Sequence, residues 1–202
     1  MILSLVAAAH LYLLPWKMLF MLPAESEKPC AVTSLRYGPA DGSWESGSNP
    51  QPAGCEFRVA VQPGHLLSAW ADLPPKPAVE VEVTYTVQGV AKPQTAHVKA
   101  ETLQPGAAQA KDFSAKASKA GKNARVELTN TSERPVLVGD ATALRNKPKD
   151  NCVGPGPAAV LQPGETLVDL RPGIVSPSMK VFVAVFTGEK TCKWVEVQRA
   201  QR

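Results

Sequence analysis

The sequence predicts an all-β protein, one or two antiparallel β-sandwich modules behind a single N-terminal transmembrane helix. Three observations predict it. Nineteen prolines and fourteen glycines punctuate the 202 residues, which breaks helix interiors and leaves short strands joined by turns. Several stretches alternate apolar and polar residues with a period of two, the pattern of a strand with one wet face. The first twenty-two residues, MILSLVAAAHLYLLPWKMLFML, are almost wholly apolar.

That N-terminal run, as a helix, would reach roughly 33 Å, enough for a hydrocarbon core. A cleaved secretory signal would begin with basic residues and end in a small-x-small triplet. Here no Lys or Arg precedes the run, and Leu22-Pro23-Ala24 is a poor cleavage triplet. The expectation is a retained anchor over residues 1–23, with Trp16 and Lys17 near one membrane interface. Residues 24–105 and 106–202 then make a first and a second β module, or together one sandwich.

Along the chain about eleven strands follow at intervals of 8–12 residues, the spacing of sandwiches and barrels. Residues 31–37 form the first. Gly38 to Gly54 is rich in Gly, Ser and Pro and reads as a long loop carrying Trp44. Residues 55–62 and 66–73 flank Gln62-Pro63-Gly64. Residues 79–88 are the clearest strand, with Val79, Val81, Val83, Tyr85 and Val87 on one face and Glu80, Glu82, Thr84 and Thr86 on the other. Residues 95–103 repeat the pattern. Residues 104–122 fit either a short helix ended by Gly121 or a loop and a strand around Phe113. Strands at 125–130, 135–138, 160–162, 166–170, 180–186 and 193–198 complete the count. Residues 180–186, KVFVAVF, are apolar on both faces and belong in the centre of a covered sheet.

Four cysteines, Cys30, Cys55, Cys152 and Cys192, contain no CxxC pair, which argues against zinc. An even count behind an apolar N-terminus favours disulfides formed in an oxidising compartment. Cys30–Cys55 and Cys152–Cys192 are the preferred pairs, one in each half, among the three connectivities four cysteines allow. The net charge of +4 is mild, and no nucleic-acid-binding spacing is present. Lys111, Lys116, Lys119 and Lys122, followed by Arg125, stand against Asp112 alone. They are either a solvated face or, with Trp44, a candidate interaction surface for anionic lipid headgroups or an acidic partner.

Val126-Glu127-Leu128-Thr129-Asn130-Thr131-Ser132-Glu133-Arg134-Pro135-Val136-Leu137-Val138, followed by Leu161-Gln162-Pro163-Gly164-Glu165-Thr166-Leu167, resembles immunoglobulin-like β-sandwich modules of envelope and secreted proteins. Asn130 suits a strand exit and Pro163-Gly164 a tight turn. His65-Leu66-Leu67-Ser68-Ala69-Trp70-Ala71, together with Arg125 to Leu144 including Asp140, is similar to the jelly rolls of carbohydrate-binding modules. The four tryptophans form no cluster for stacking on sugar rings.

No nucleophile elbow, HExxH, P-loop or dinucleotide fingerprint occurs in the sequence. His10, His65 and His97 are scattered. Glu80 and Glu82 share a strand face about 7 Å apart, a separation glycoside chemistry uses but an amphipathic strand also produces. Asn130-Thr131-Ser132 is an N-glycosylation sequon. The expectation is therefore no enzyme, no cofactor and no metal. It is a membrane-anchored extracytoplasmic accessory or scaffold subunit of a membrane assembly, periplasmic or at the cell surface. The alternative is a carbohydrate- or ligand-binding module.

Overall fold

The computed structural model describes residues 9–24, 30–38, 45–46, 54–55, 60–62, 64–73, 80–105, 108–149, 158–189 and 191–199. Sixteen strands and one 3₁₀ turn (η1, Ala110–Asp112) make up the described secondary structure. The strands are β1 (His10–Leu13), β2 (Met18–Ala24), β3 (Cys30–Gly38), β4 (Glu45–Ser46), β5 (Gly54–Cys55), β6 (Ala60–Gln62), β7 (Gly64–Ala71) and β8 (Glu80–Val87). They continue with β9 (Gln94–Thr102), β10 (Phe113–Ala120), β11 (Asn123–Asn130), β12 (Val136–Leu144), β13 (Ala159–Leu161), β14 (Thr166–Pro172), β15 (Lys180–Gly188) and β16 (Thr191–Val197). The chain divides into two compact units: residues 1–57 with 64–104, and residues 58–63 with 105–202.

In the first unit the strand order is β7-β2-β1-β9-β8-β3, with β4 and β5 both pairing β3. All ladders are antiparallel except β1 with β9. One face carries the core: Leu11, Met18, Phe20, Leu22, Val81, Val83, Tyr85, Val87 and Val98 are all buried in a single cluster. Strand β8 alternates as its sequence requires, with its valines and Tyr85 in the core. Burial raises the pKa of the Tyr85 phenol above its ordinary value.

The helical anchor expected over residues 1–23 is corrected for the part the structure describes. Residues 10–24 form the β1–β2 hairpin, closed by the Leu14 N–H donating to the Lys17 carbonyl at 2.9 Å. No helix among the described residues is long and apolar enough to cross a membrane. The physical reason lies in the sequence. Pro15 would break a helix in its interior, whereas here it sits in the turn. Met18 to Leu22 are each at most 1% exposed, because β2 lies between β1 and β7 and is covered on both faces. A doubly buried strand and a membrane helix share an unbroken apolar run. Lys17, expected at a membrane interface, forms an ion pair with Asp72 at 3.3 Å.

The second unit is two four-stranded sheets packed on each other, β10-β11-β14-β6 and β13-β12-β15-β16. The chain changes sheet between β11 and β12, again between β13 and β14, and again between β14 and β15. Val126 and Leu128 of β11, Phe113 and Ala115 of β10 and Leu167 of β14 are buried, on the face their registers share. Strand β15 lies between β12 and β16, and every residue from Val181 to Phe186 is buried. An irregularity in the β12–β15 register spans Gly139 and Asp140; a Cβ at Gly139 would lie 3.2 Å from the Phe186 ring. The β10 edge is met by a parallel bridge from Arg199 to Ala115. The Arg199 Nε and Nη2 atoms are buried there without a hydrogen-bond partner, a cost the fold carries.

Candidate functional site

In the first unit, the wet face of β3-β8-β9 carries a cross-strand row of polar side chains. The registers Arg36↔Glu82 and Glu82↔His97 align three residues on neighbouring strands. Arg36 Nη1 lies 3.2 Å from Glu82 Oε1, and His97 Nε2 lies 3.4 Å from Glu82 Oε2. Thr84 and Thr95 hydroxyls meet at 3.2 Å beside it. Such directly opposed pairs are the ordinary stabilising unit of a sheet. Glu82, one of the two carboxylates picked out by spacing, is thus held by neighbours, while Glu80 stands opposite Lys99.

In the second unit, the two motifs that carry the immunoglobulin-like resemblance meet at one end. Gln162-Pro163-Gly164-Glu165 is a type II turn: Gly164 has φ +82°, which favours glycine, and the Glu165 N–H donates to the Gln162 carbonyl at 3.0 Å. The turn docks on Asn130 through two backbone bonds, Gly164 N–H to the Asn130 carbonyl and Asn130 N–H to the Glu165 carbonyl. The Asn130 side chain is fully buried. Its Nδ2 donates to the carbonyls of Arg134 and Leu161, each at 2.8 Å. Its Oδ1 accepts from the Ser132 N–H and hydroxyl at 2.9 and 2.7 Å. All four hydrogen-bonding positions of the amide are used. The sequon asparagine is therefore closed to a glycosyl group in the folded protein. Asp112 braces the same end, accepting from the Gln109 N–H at 2.8 Å and from Arg134 Nη2 at 3.3 Å.

The opposite end of this unit is built differently. It gathers the β10–β11 turn, the exit of β12 and the β14–β15 loop, as the pairs Asn123↔Pro172 and Leu144↔Lys180 require. The Gly173 N–H donates to the Lys122 carbonyl at 3.3 Å, fastening the loop to the turn. Of the five exposed large hydrophobic residues among those described, three lie here: Leu144 at 39%, Leu170 at 48% and Ile174 at 76%.

The lysines picked out in sequence do not form one patch. Lys111 lies in η1 at the Asn130 end, whereas Lys119 and Lys122 lie at the other, with strand β10 of roughly 25 Å between them. Lys116 and Lys119 point to opposite faces of β10 by the two-residue period. Lys116 stands across from Glu127, which accepts from Arg125 Nε at 2.7 Å. All four lysines are exposed. Sequence reasoning missed Leu144, Leu170 and Ile174. No local pattern marks them, because the registers that bring them together join residues far apart in the chain.

Cys30 and Cys55 are Cα partners in the β3–β5 ladder, and cross-strand partners lie within the Cα separation a disulfide needs. Cys192 is disulfide-bonded; Cys152 lies outside the described residues, as does Trp44. The described tryptophans, Trp16, Trp70 and Trp194, are each half-buried and share no strand. Among the described residues no group of three or more His, Cys, Asp or Glu side chains is placed to hold a metal ion. No family model and no curated protein matches this sequence.

Proposed function

We propose that the chain is a non-catalytic extracytoplasmic accessory protein whose work is attachment, holding or covering the outer side of a larger membrane assembly. The observation that carries this reading is the asymmetry of the second unit. One end spends its polar groups on bracing, through Asn130 and Asp112. The other leaves Leu144, Leu170 and Ile174 each exposed, and exposed aliphatic side chains toward one end of a braced scaffold favour an interaction surface.

An immunoglobulin-like module is favoured by the orders β10-β11-β14 and β13-β12-β15-β16, to which β6, from earlier in the chain, is added beside β14. The Cys192 bridge and the opposed Cys30 and Cys55 favour an oxidising compartment, with Cys152 as the natural partner of Cys192. The test is purification of the full chain from its native membranes in mild detergent. The expected result is copurification in a larger complex, weakened when Ile174→Glu and Leu170→Glu are combined. Recovery as a lone monomer, unaffected by that change, would sink the reading.

A further inference from the structure

Resting on that attachment reading and naming its partner, we propose that the Leu170–Ile174 end of the second unit docks on the headgroup layer of an anionic lipid bilayer. Three observations converge. First, two of the three exposed aliphatic side chains, Ile174 and Leu144, sit where the chain leaves a strand and not across a flat sheet face. Ile174 lies in the β14–β15 loop and Leu144 at the exit of β12, while Leu170 lies within β14, two pairs in from the strand end and opposite Arg125. Side chains so placed at one end of a sandwich suit a plane approached end-on.

Second, exposed cations lie at the same end. Lys119 is near the end of β10 and Lys122 on the β10–β11 turn, with Arg145 and Lys149 on the segment leaving β12. The described acid at this end, Glu196, is already taken by Lys180 at 2.9 Å. Third, the charge is polarised along the module: Asp112, Glu133, Glu165 and Glu189 lie at the opposite end and outnumber Lys111 and Arg134 there, whereas Lys119, Lys122, Arg145, Lys149 and Lys180 outnumber Glu196 at this one. A module so polarised turns its basic end toward a negative surface. Basic side chains then meet lipid phosphates while Ile174 enters the boundary between headgroups and acyl chains. A single buried aliphatic contributes modestly and each lysine similarly, so the two kinds of contact must act together for binding to be stable.

The test uses the full chain and sedimentation with vesicles, one set of phosphatidylcholine alone and one mixed with phosphatidylglycerol. Wild type is expected to bind the mixed vesicles, to ignore the neutral ones, and to release as salt is raised. Ile174→Glu should weaken binding by about tenfold or more through lost burial. Lys119→Glu with Lys122→Glu should weaken it on the order of a hundredfold. All these positions are exposed, and an unchanged melting temperature checks that the variants fold. Absence of binding to the mixed vesicles, or binding that the variants leave intact, overturns the proposal. If vesicles fail while Ile174→Glu still releases the protein from its detergent-purified complex, the end meets protein: the lipid proposal falls and the accessory reading stands. If neither assay responds, both fall.

Discussion

At the scale of single residues, the second unit turns on Asn130. A side-chain amide has two donors and two acceptor positions, and this one uses all four while fully buried. It ties the exit of β11 to the entry of β12 and to β13, so three backbone segments depend on one side chain. Asn130→Ala leaves the Leu161 carbonyl without its donor in the interior, and a buried polar group without a partner costs about 1–3 kcal/mol. Summed over the groups released, Asn130→Ala should lower stability by about 2–4 kcal/mol in urea unfolding. Asn130→Asp should be worse at neutral pH, since a carboxylate would face two carbonyl oxygens. Equal stability of wild type and Asn130→Asp would refute the clasp. The residue was legible as a strand exit from its type and its place after β11. Its long-range bond to Leu161 was not, because nothing local in Thr129-Asn130-Thr131 specifies a partner in β13.

At the scale of elements, legibility depended on whether a strand had one buried face or two. Strand β8 declared itself: Val81, Val83, Tyr85 and Val87 alternate with polar residues, and period two admits no helix. Strand β15 has two buried faces, but its six-residue apolar run, Val181 to Phe186, is too short to span a bilayer and was readable as a covered strand. Strands β1 and β2 have the same character at greater combined length. Joined by a turn of Leu14, Pro15, Trp16 and Lys17, they present a helix-length apolar run, and composition cannot separate the two cases. Pro15 was the available signal, since a hairpin turn tolerates it better than a helix interior does. The two readings make opposite predictions for a chain that begins at Pro23. An anchor could be removed and leave residues 24–105 folded. The hairpin cannot: Leu11, Tyr12, Leu14 and Met18 to Leu22 are all buried, and each such side chain contributes about 1.5–3 kcal/mol. Over these eight side chains the sum is about 12–24 kcal/mol, comparable to or larger than the 5–15 kcal/mol by which a domain is typically stable. The truncated chain is expected to lose the amide signals of the first unit in NMR while keeping those of the second. A fully dispersed spectrum would show that β1 and β2 are dispensable.

At the scale of the whole molecule, the candidate site was less legible than the fold. Sequence reading grouped Lys111, Lys116, Lys119 and Lys122 by proximity in the chain, but a β-strand spreads neighbours over both faces and along its length. The antiparallel registers did the grouping instead, bringing Lys122 to Gly173 and Leu144 to Lys180. The same principle governs how the chain is partitioned. Strand β6 comes from the first half of the sequence yet belongs to the second unit, pairing β14 through Gln62↔Thr166, Val61↔Leu167 and Ala60↔Val168. No single cut therefore yields two complete units. A fragment of residues 105–202 keeps both sheets but loses β6, baring the backbone of Thr166 to Val168. An uncovered strand edge offers unpaired N–H and carbonyl groups to another chain. The fragment should fold, because its buried residues come from β10 to β16, yet associate with rising concentration in sedimentation velocity. Replacing Leu167 with proline in the fragment would remove an edge donor but also strain the core, so Thr166→Lys is the better control. A charge at the bared edge should restore the monomer without loss of secondary structure. If the fragment stays monomeric at all concentrations, β6 is not covering that edge in the intact chain.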